Sequence, residues 1–153
     1  MAIGTAALTV TVSETLTLNG VEVGGTNSLV IDAVNDFYKR IITIPASTET
    51  TLYTTHDTAV GGSQFDDDLV KYVRITNKDA TVGGYCRLRV SNTANDEFVY
   101  TLNQGESFLL YSHSNAMNAN EAGVASLGGT AEITDITANT DAVVDLEIFV
   151  ASI

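Results

Sequence analysis

The feature that most constrains this chain is the two-residue alternation of apolar and polar side chains, repeated in short segments along its length. Near the start, Leu8, Val10 and Val12 alternate with Thr9, Thr11 and Ser13. At the end, Val144, Leu146, Ile148 and Val150 alternate with Asp145 and Glu147. A period of two sends successive side chains to opposite faces of an extended strand, so each segment has one face to bury. The same pattern predicts strands over 28–33, 37–44, 49–55, 69–76, 85–91, 97–102, 106–111 and 131–136. Clusters of Gly, Asn, Asp and Thr separate them, which is the punctuation of a β-sandwich or jelly roll. Abundant threonine is β-branched and suits strands better than helices.

One turn can be placed to the residue. Asn19-Gly20 lies between Leu16 and Leu18 on one side and Val21 and Val23 on the other. Asn-Gly supplies the two positive-φ positions of a tight hairpin turn. Such a turn sets Leu18 opposite Val21 and Leu16 opposite Val23, with four apolar side chains on one face. Gly24-Gly25 closes the unit, so the chain divides into an N-terminal hairpin or arm over 1–25 and a single sandwich domain over 26–153. Helix is scarce; a short helical turn over Ser28–Asn35 competes with the strand there. Residues 56–68, 77–84 and 112–130 read as loops, the last with one possible helical turn.

Length and charge narrow the class further. The 153 residues fit one ordinary domain, and a single cysteine, Cys86, cannot form an internal disulfide. Cys86 falls in phase with Leu88 and Val90, which predicts a buried, inert thiol. Nineteen acids against seven bases give a formal net charge of −12. That sign repels phosphate backbones and anionic membranes, so neither nucleic acid nor membrane is an expected partner. No apolar run approaches the ~18 residues of a spanning helix, and Met1–Thr5 carries no positive leader region, so synthesis in a cytosol is expected.

Each constellation that could carry chemistry has a plainer reading. Asp66-Asp67-Asp68 could help hold Ca²⁺, but consecutive residues point in alternating directions, so a solvated turn is expected. His56 and His113 lie in separate polar segments without metal-ligand spacing. Asp145 and Glu147 read as the wet side of a half-buried strand rather than an acid–base pair. No nucleophile elbow, phosphate loop or dinucleotide fingerprint occurs. No catalytic residue, cofactor or metal is therefore expected.

The bases are confined between Lys39 and Arg89. Lys71 and Arg74 fall on the strand over 69–76, Arg87 and Arg89 on that over 85–91. The connection between them is short enough for a hairpin, which would gather them on one sheet with Lys39 and Arg40 nearby. Intramolecular pairing with the surplus acids competes with a docking patch for an acidic partner. Tyr72, Tyr85, Tyr100 and Tyr111, with Phe98 and Phe108, fill the core or stack on sugars.

A family resemblance follows from the order of these pieces. Tyr72-Val73-Arg74-Ile75-Thr76-Asn77-Lys78-Asp79 precedes Tyr85–Val90. Then come Phe98–Leu102, the step Gln104-Gly105-Glu106 and the apolar strand Phe108–Tyr111. Ile136–Asp141 forms a last turn before Val143–Val150. This order resembles the small jelly-roll virion proteins of tailed bacteriophages, over roughly residues 36–153. The resemblance implies a non-catalytic structural protein assembled in the bacterial host cytoplasm. The expected role is an outer capsid cement or decoration protein that bridges capsomers, with the major capsid protein or another virion protein as partner. A homo-oligomer is expected. A tail-fibre or baseplate component, or a glycan-binding module, is the alternative. Candidate interface residues are Leu8, Val10, Leu16 and Leu18 on the arm and Lys39, Arg40, Lys71, Arg74, Arg87 and Arg89 on the body.

Overall fold

A computed structural model describes residues 4–57, 65–80, 84–113, 117 and 132–153. The chain is all-β, built from several sheets, and no helix occurs among the described residues. The expected loops 56–68, 77–84 and 112–130 fall partly outside the described residues, and the possible helical turn of 112–130 falls there almost entirely. Over Ser28–Asn35 the strand prevails over the helical turn.

The N-terminal part is a two-stranded ribbon. β1 (Ala6–Ser13) pairs antiparallel with β4 (Thr26–Val34), and its far end carries the small hairpin β2 (Thr17–Leu18) and β3 (Val21–Glu22). Asn19 and Gly20 both have positive φ, 52° and 80°, as an Asn-Gly turn requires. Leu18 pairs with Val21, and Val23 N donates to Leu16 O at 2.8 Å. The expected end of this unit at Gly25 is revised by the pairing: β1 finds its partner beyond the Gly-Gly step, and the ribbon runs on to Val34.

A bulge lies near the ribbon's root, where the register shifts between Ala6 and Leu8. Ala33 takes φ 61°, and the extra residue lets both Ile31 and Val34 face the body. A Cβ in this left-handed region costs about 1–2 kcal/mol. Allowing for glycine's larger loss of freedom on folding, Ala33→Gly is expected to stabilise the chain by about 0.5–1 kcal/mol. The check is a rise in thermal midpoint of a few degrees; a fall would contradict the bulge.

The body begins with β5 (Asp36–Ile44), β6 (Thr50–His56) and β7 (Phe65–Asp66), followed by β8 (Val70–Asn77) and β9 (Tyr85–Asn92). It continues through β10 (Glu97–Asn103), β11 (Ser107–Tyr111), β12 (Ile133–Thr140) and β13 (Val144–Ser152). One sheet has the order β11-β8-β13-β5, the other β10-β9-β12-β6-β7. The antiparallel pairs are nested: β9 with β10, β8 with β11, β6 with β12, and β5 with β13. Both sheets send their inward faces into one core. Ile44, Val73, Ile75, Leu146, Ile148 and Val150 come from the first, and Leu52, Leu88, Val90, Leu102 and Ile136 from the second. Cys86 lies buried in that core, as expected, and burial pushes its thiol up to about 11.

Two sequence expectations are corrected here. β8 and β9 do not form a hairpin; they lie in different sheets, because each has an apolar face that the shared core needs. The stretch Ile136–Thr140, read as a turn, belongs to β12, and only 141–143 connect to β13. Its inward positions include Ala138, fully buried but too small to register as a strand signal. The step before β11 is as expected, with Gly105 at φ 75°.

Candidate docking surface

The two outward faces of the body differ in kind. On the five-stranded sheet, polar groups bind one another. Arg89 pairs with Glu49 at 2.5 Å and Glu97 at 3.3 Å, and its Nε donates to Thr137 Oγ1. Thr54 donates to Asp135, and Thr137 to Glu49. These polar groups satisfy one another, and Val99 of β10 lies exposed beside Arg89.

The outward face of the four-stranded sheet is apolar at one end. Tyr72, Leu109, Phe149 and Ala151 lie there, and the ribbon covers them with Leu8, Val10, Leu29, Ile31 and Val34. The rings of Tyr72 and Phe149 meet edge to face, 5.4 Å between centroids. Of the arm candidates, Val10 is thus buried and Leu8 half-buried against the body, whereas Leu16 and Leu18 are exposed at the far end.

The projection is set by length. The ribbon root touches β5 and β13, where Asn35 N donates to Ser152 O, and its middle reaches Tyr111 at the end of β11. At ~3.3 Å per residue, β1 alone spans about 26 Å, whereas four strands at ~4.8 Å spacing span about 14 Å. The tip therefore overhangs the β11 edge. It presents Leu16, Leu18, Val21 and Val23, each 54–61 % exposed. Four adjacent apolar side chains on one face of a strand pair form a patch, which scattered exposed residues do not.

The tip is held in shape by one carboxylate. Glu22 accepts from Leu16 N and Gly24 N, both at 2.9 Å, and from Thr17 Oγ1 at 3.1 Å. The bonds from Gly24, Leu16 and Thr17 hold its carboxyl below the ordinary 4.5. A lowered folded value means that its contribution is complete above the ordinary range and is lost as pH falls through the lowered one. Acid titration followed by NMR is expected to shift the Leu16 and Gly24 amides only below the ordinary carboxylate range, and Glu22→Gln to abolish that titration. Amides that titrate at the ordinary value would contradict the cradle.

Of the basic candidates, only Lys39 and Arg74 come together. Lys71 and Arg74 are on β8, Arg87 and Arg89 on β9 in the other sheet. Arg74 pairs with Glu147 at 2.5 Å, and Lys39 reaches the same carboxylate at 3.8 Å. Glu147 therefore anchors two bases, and Asp145 accepts from Thr43 at 2.6 Å. Arg40 stacks on Tyr38 and Arg87 on Tyr85. Lys71 is buried, its Nζ donating to Asp68 O at 2.6 Å, and burial lowers its pKa. It cannot be a surface contact.

The remaining candidates are separated too. His56 closes β6 and His113 follows β11, in different sheets. Asp66, which ends β7, and Asp67 and Asp68 after it converge more than alternation suggests, with ligand atoms within 4.8 Å of one another, and Asp67 is buried rather than solvated. Burial raises its carboxyl above the ordinary value, and the Lys71 side chain bonds to the same turn. Phe98 and Tyr100 pack on Phe108, joining the edge strands of the two sheets. The projecting tip was legible in the Asn-Gly hairpin, but its exposure was not, because a sequence does not say which apolar face the body covers.

Set against known proteins, the chain matches no family model, no curated protein and no solved structure.

Proposed function

We propose that this chain is a structural virion protein of a tailed bacteriophage, an outer capsid cement protein that binds neighbouring capsomers and stabilises the shell. The observation that carries the reading is the apolar tip, held clear of the body on a ribbon that the body anchors. Such a device suits non-covalent docking: a ligand that binds only the assembled shell stabilises that shell by mass action.

The strand order supports the jelly-roll part of the reading. Setting β7 aside, the eight body strands divide as first, third, sixth and eighth in one sheet, and second, fourth, fifth and seventh in the other. With the nested pairs, this order supports one long antiparallel hairpin rolled into two facing sheets, as in a jelly roll. The net charge of −12 favours a position away from packaged DNA.

Labelled antibodies tested on intact particles check the proposal. The expected result is labelling on the outside of the head. Particles free of the chain, from cells that make it, would overturn the virion reading, and labelling confined to the tail would overturn the cement role.

A further inference from the structure

We propose that the chain binds a second copy of itself head to tail, the tip of one copy seating in a groove at the ribbon root of the next. The inference rests on the docking reading above and names one partner for that surface.

The groove is a cleft of about 580 Å³ between the ribbon root and the four-stranded sheet, lined in part by Leu8, Val34, Phe37, Tyr72 and Phe149, with Lys39 and Arg74 at its polar side. Its apolar lining is open to an incoming group, since Phe37 is 69 % exposed. Charge matches the same way. No acid lines the groove, and Lys39 and Arg74 share the single carboxylate of Glu147, which leaves one positive charge over. The far end of the ribbon carries Glu14 and Glu22, both exposed, and no base, whereas Asp32 lies near the root. An acidic, apolar tip faces a basic, apolar groove, and complementarity of this kind sets register and suppresses wrong partners.

The placement of the two surfaces decides the geometry. The tip lies at the far end of the ribbon, beyond Tyr111 of β11, whereas the groove lies at the ribbon root over β5, β13 and β8. A copy cannot seat its own tip, so the contact joins the tip of one copy to the groove of another. A contact between two unlike patches is heterologous, and it propagates into a ring or a filament unless two copies engage reciprocally.

Sedimentation of the full chain tests this. The wild type is expected to form species larger than the monomer as concentration rises. Leu18→Asp and Phe37→Asp, both at exposed positions, are each expected to weaken association about tenfold or more with unchanged circular dichroism. An equimolar mixture of the two variants retains one intact tip and one intact groove, so it is expected to form a dimer and nothing larger. Val21→Asp replaces Leu18→Asp if the latter does not fold. A wild type that stays monomeric, single variants that associate like the wild type, or a mixture that stays monomeric would each overturn the inference. A monomeric chain that still decorates particles would sink this inference alone, and one that self-associates without binding particles would sink only the virion reading.

Discussion

Replacing Glu14–Gly25 with a two-residue Asn-Gly turn is expected to weaken assembly about a hundredfold or more while leaving the strand content unchanged. Ser13 and Thr26 face each other as the last pair of β1 and β4, so a two-residue turn can join them without disturbing the ribbon below. The excision removes Leu16, Leu18, Val21 and Val23 and none of the ribbon side chains that cover Tyr72 and Phe149. Fully burying one such side chain is worth roughly 1.5–3 kcal/mol, so losing four together exceeds the ~2.8 kcal/mol that a hundredfold change requires, even after ordering costs. Co-sedimentation with the assembled partner reads the effect, and binding within threefold of wild type would contradict it. Removing 1–25 outright is a different experiment. It strips β1 from β4 and uncovers Tyr72 and Phe149, so it tests folding as much as docking.

Ile148→Ala is expected to destabilise the chain by about 2–5 kcal/mol. Ile148 sits in the middle of β13, between Arg40 of β5 and Ile75 of β8, and is fully buried. Its side chain points into the core that both sheets share, so truncation leaves a cavity that neither sheet can close without moving the other. Denaturant unfolding should show a lower midpoint with an unchanged slope. A loss below about 1 kcal/mol would mean that the two sheets do not share one core.

What the sequence discloses follows the range of the interaction. The tight turn at Asn19-Gly20 is a local matter of backbone φ, and the Leu18–Val21 pair stands where those two residues put it. The strands are likewise local, since alternation alone exposes their two faces. Partner choice is not local. Gly24-Gly25 looks like the end of a hairpin, yet β1 pairs with β4 beyond it, because Val10 and Ile31 gain cover together on Tyr72 and Ala151. The eight residues after Thr76 are short enough for a hairpin, yet β8 and β9 part to opposite sheets. That choice separates the basic residues expected to cluster, and it turns Arg89 toward Glu49 and Glu97 instead of a partner. Lys71 is the clearest case of the same limit. A lysine at an inward position of β8 reads as a surface charge, whereas its stem is buried and its ammonium bonds to Asp68 O.

The ribbon tip, not the polar face of the body, is the surface through which the chain is expected to dock. Hydrogen exchange compared between the free chain and the assembled state measures it. The account predicts that amides over Leu16–Val23 exchange about tenfold or more slowly on assembly, while those of β10 on the far sheet keep their free rates. Protection confined to β10, with the tip exchanging as in the free chain, would contradict it.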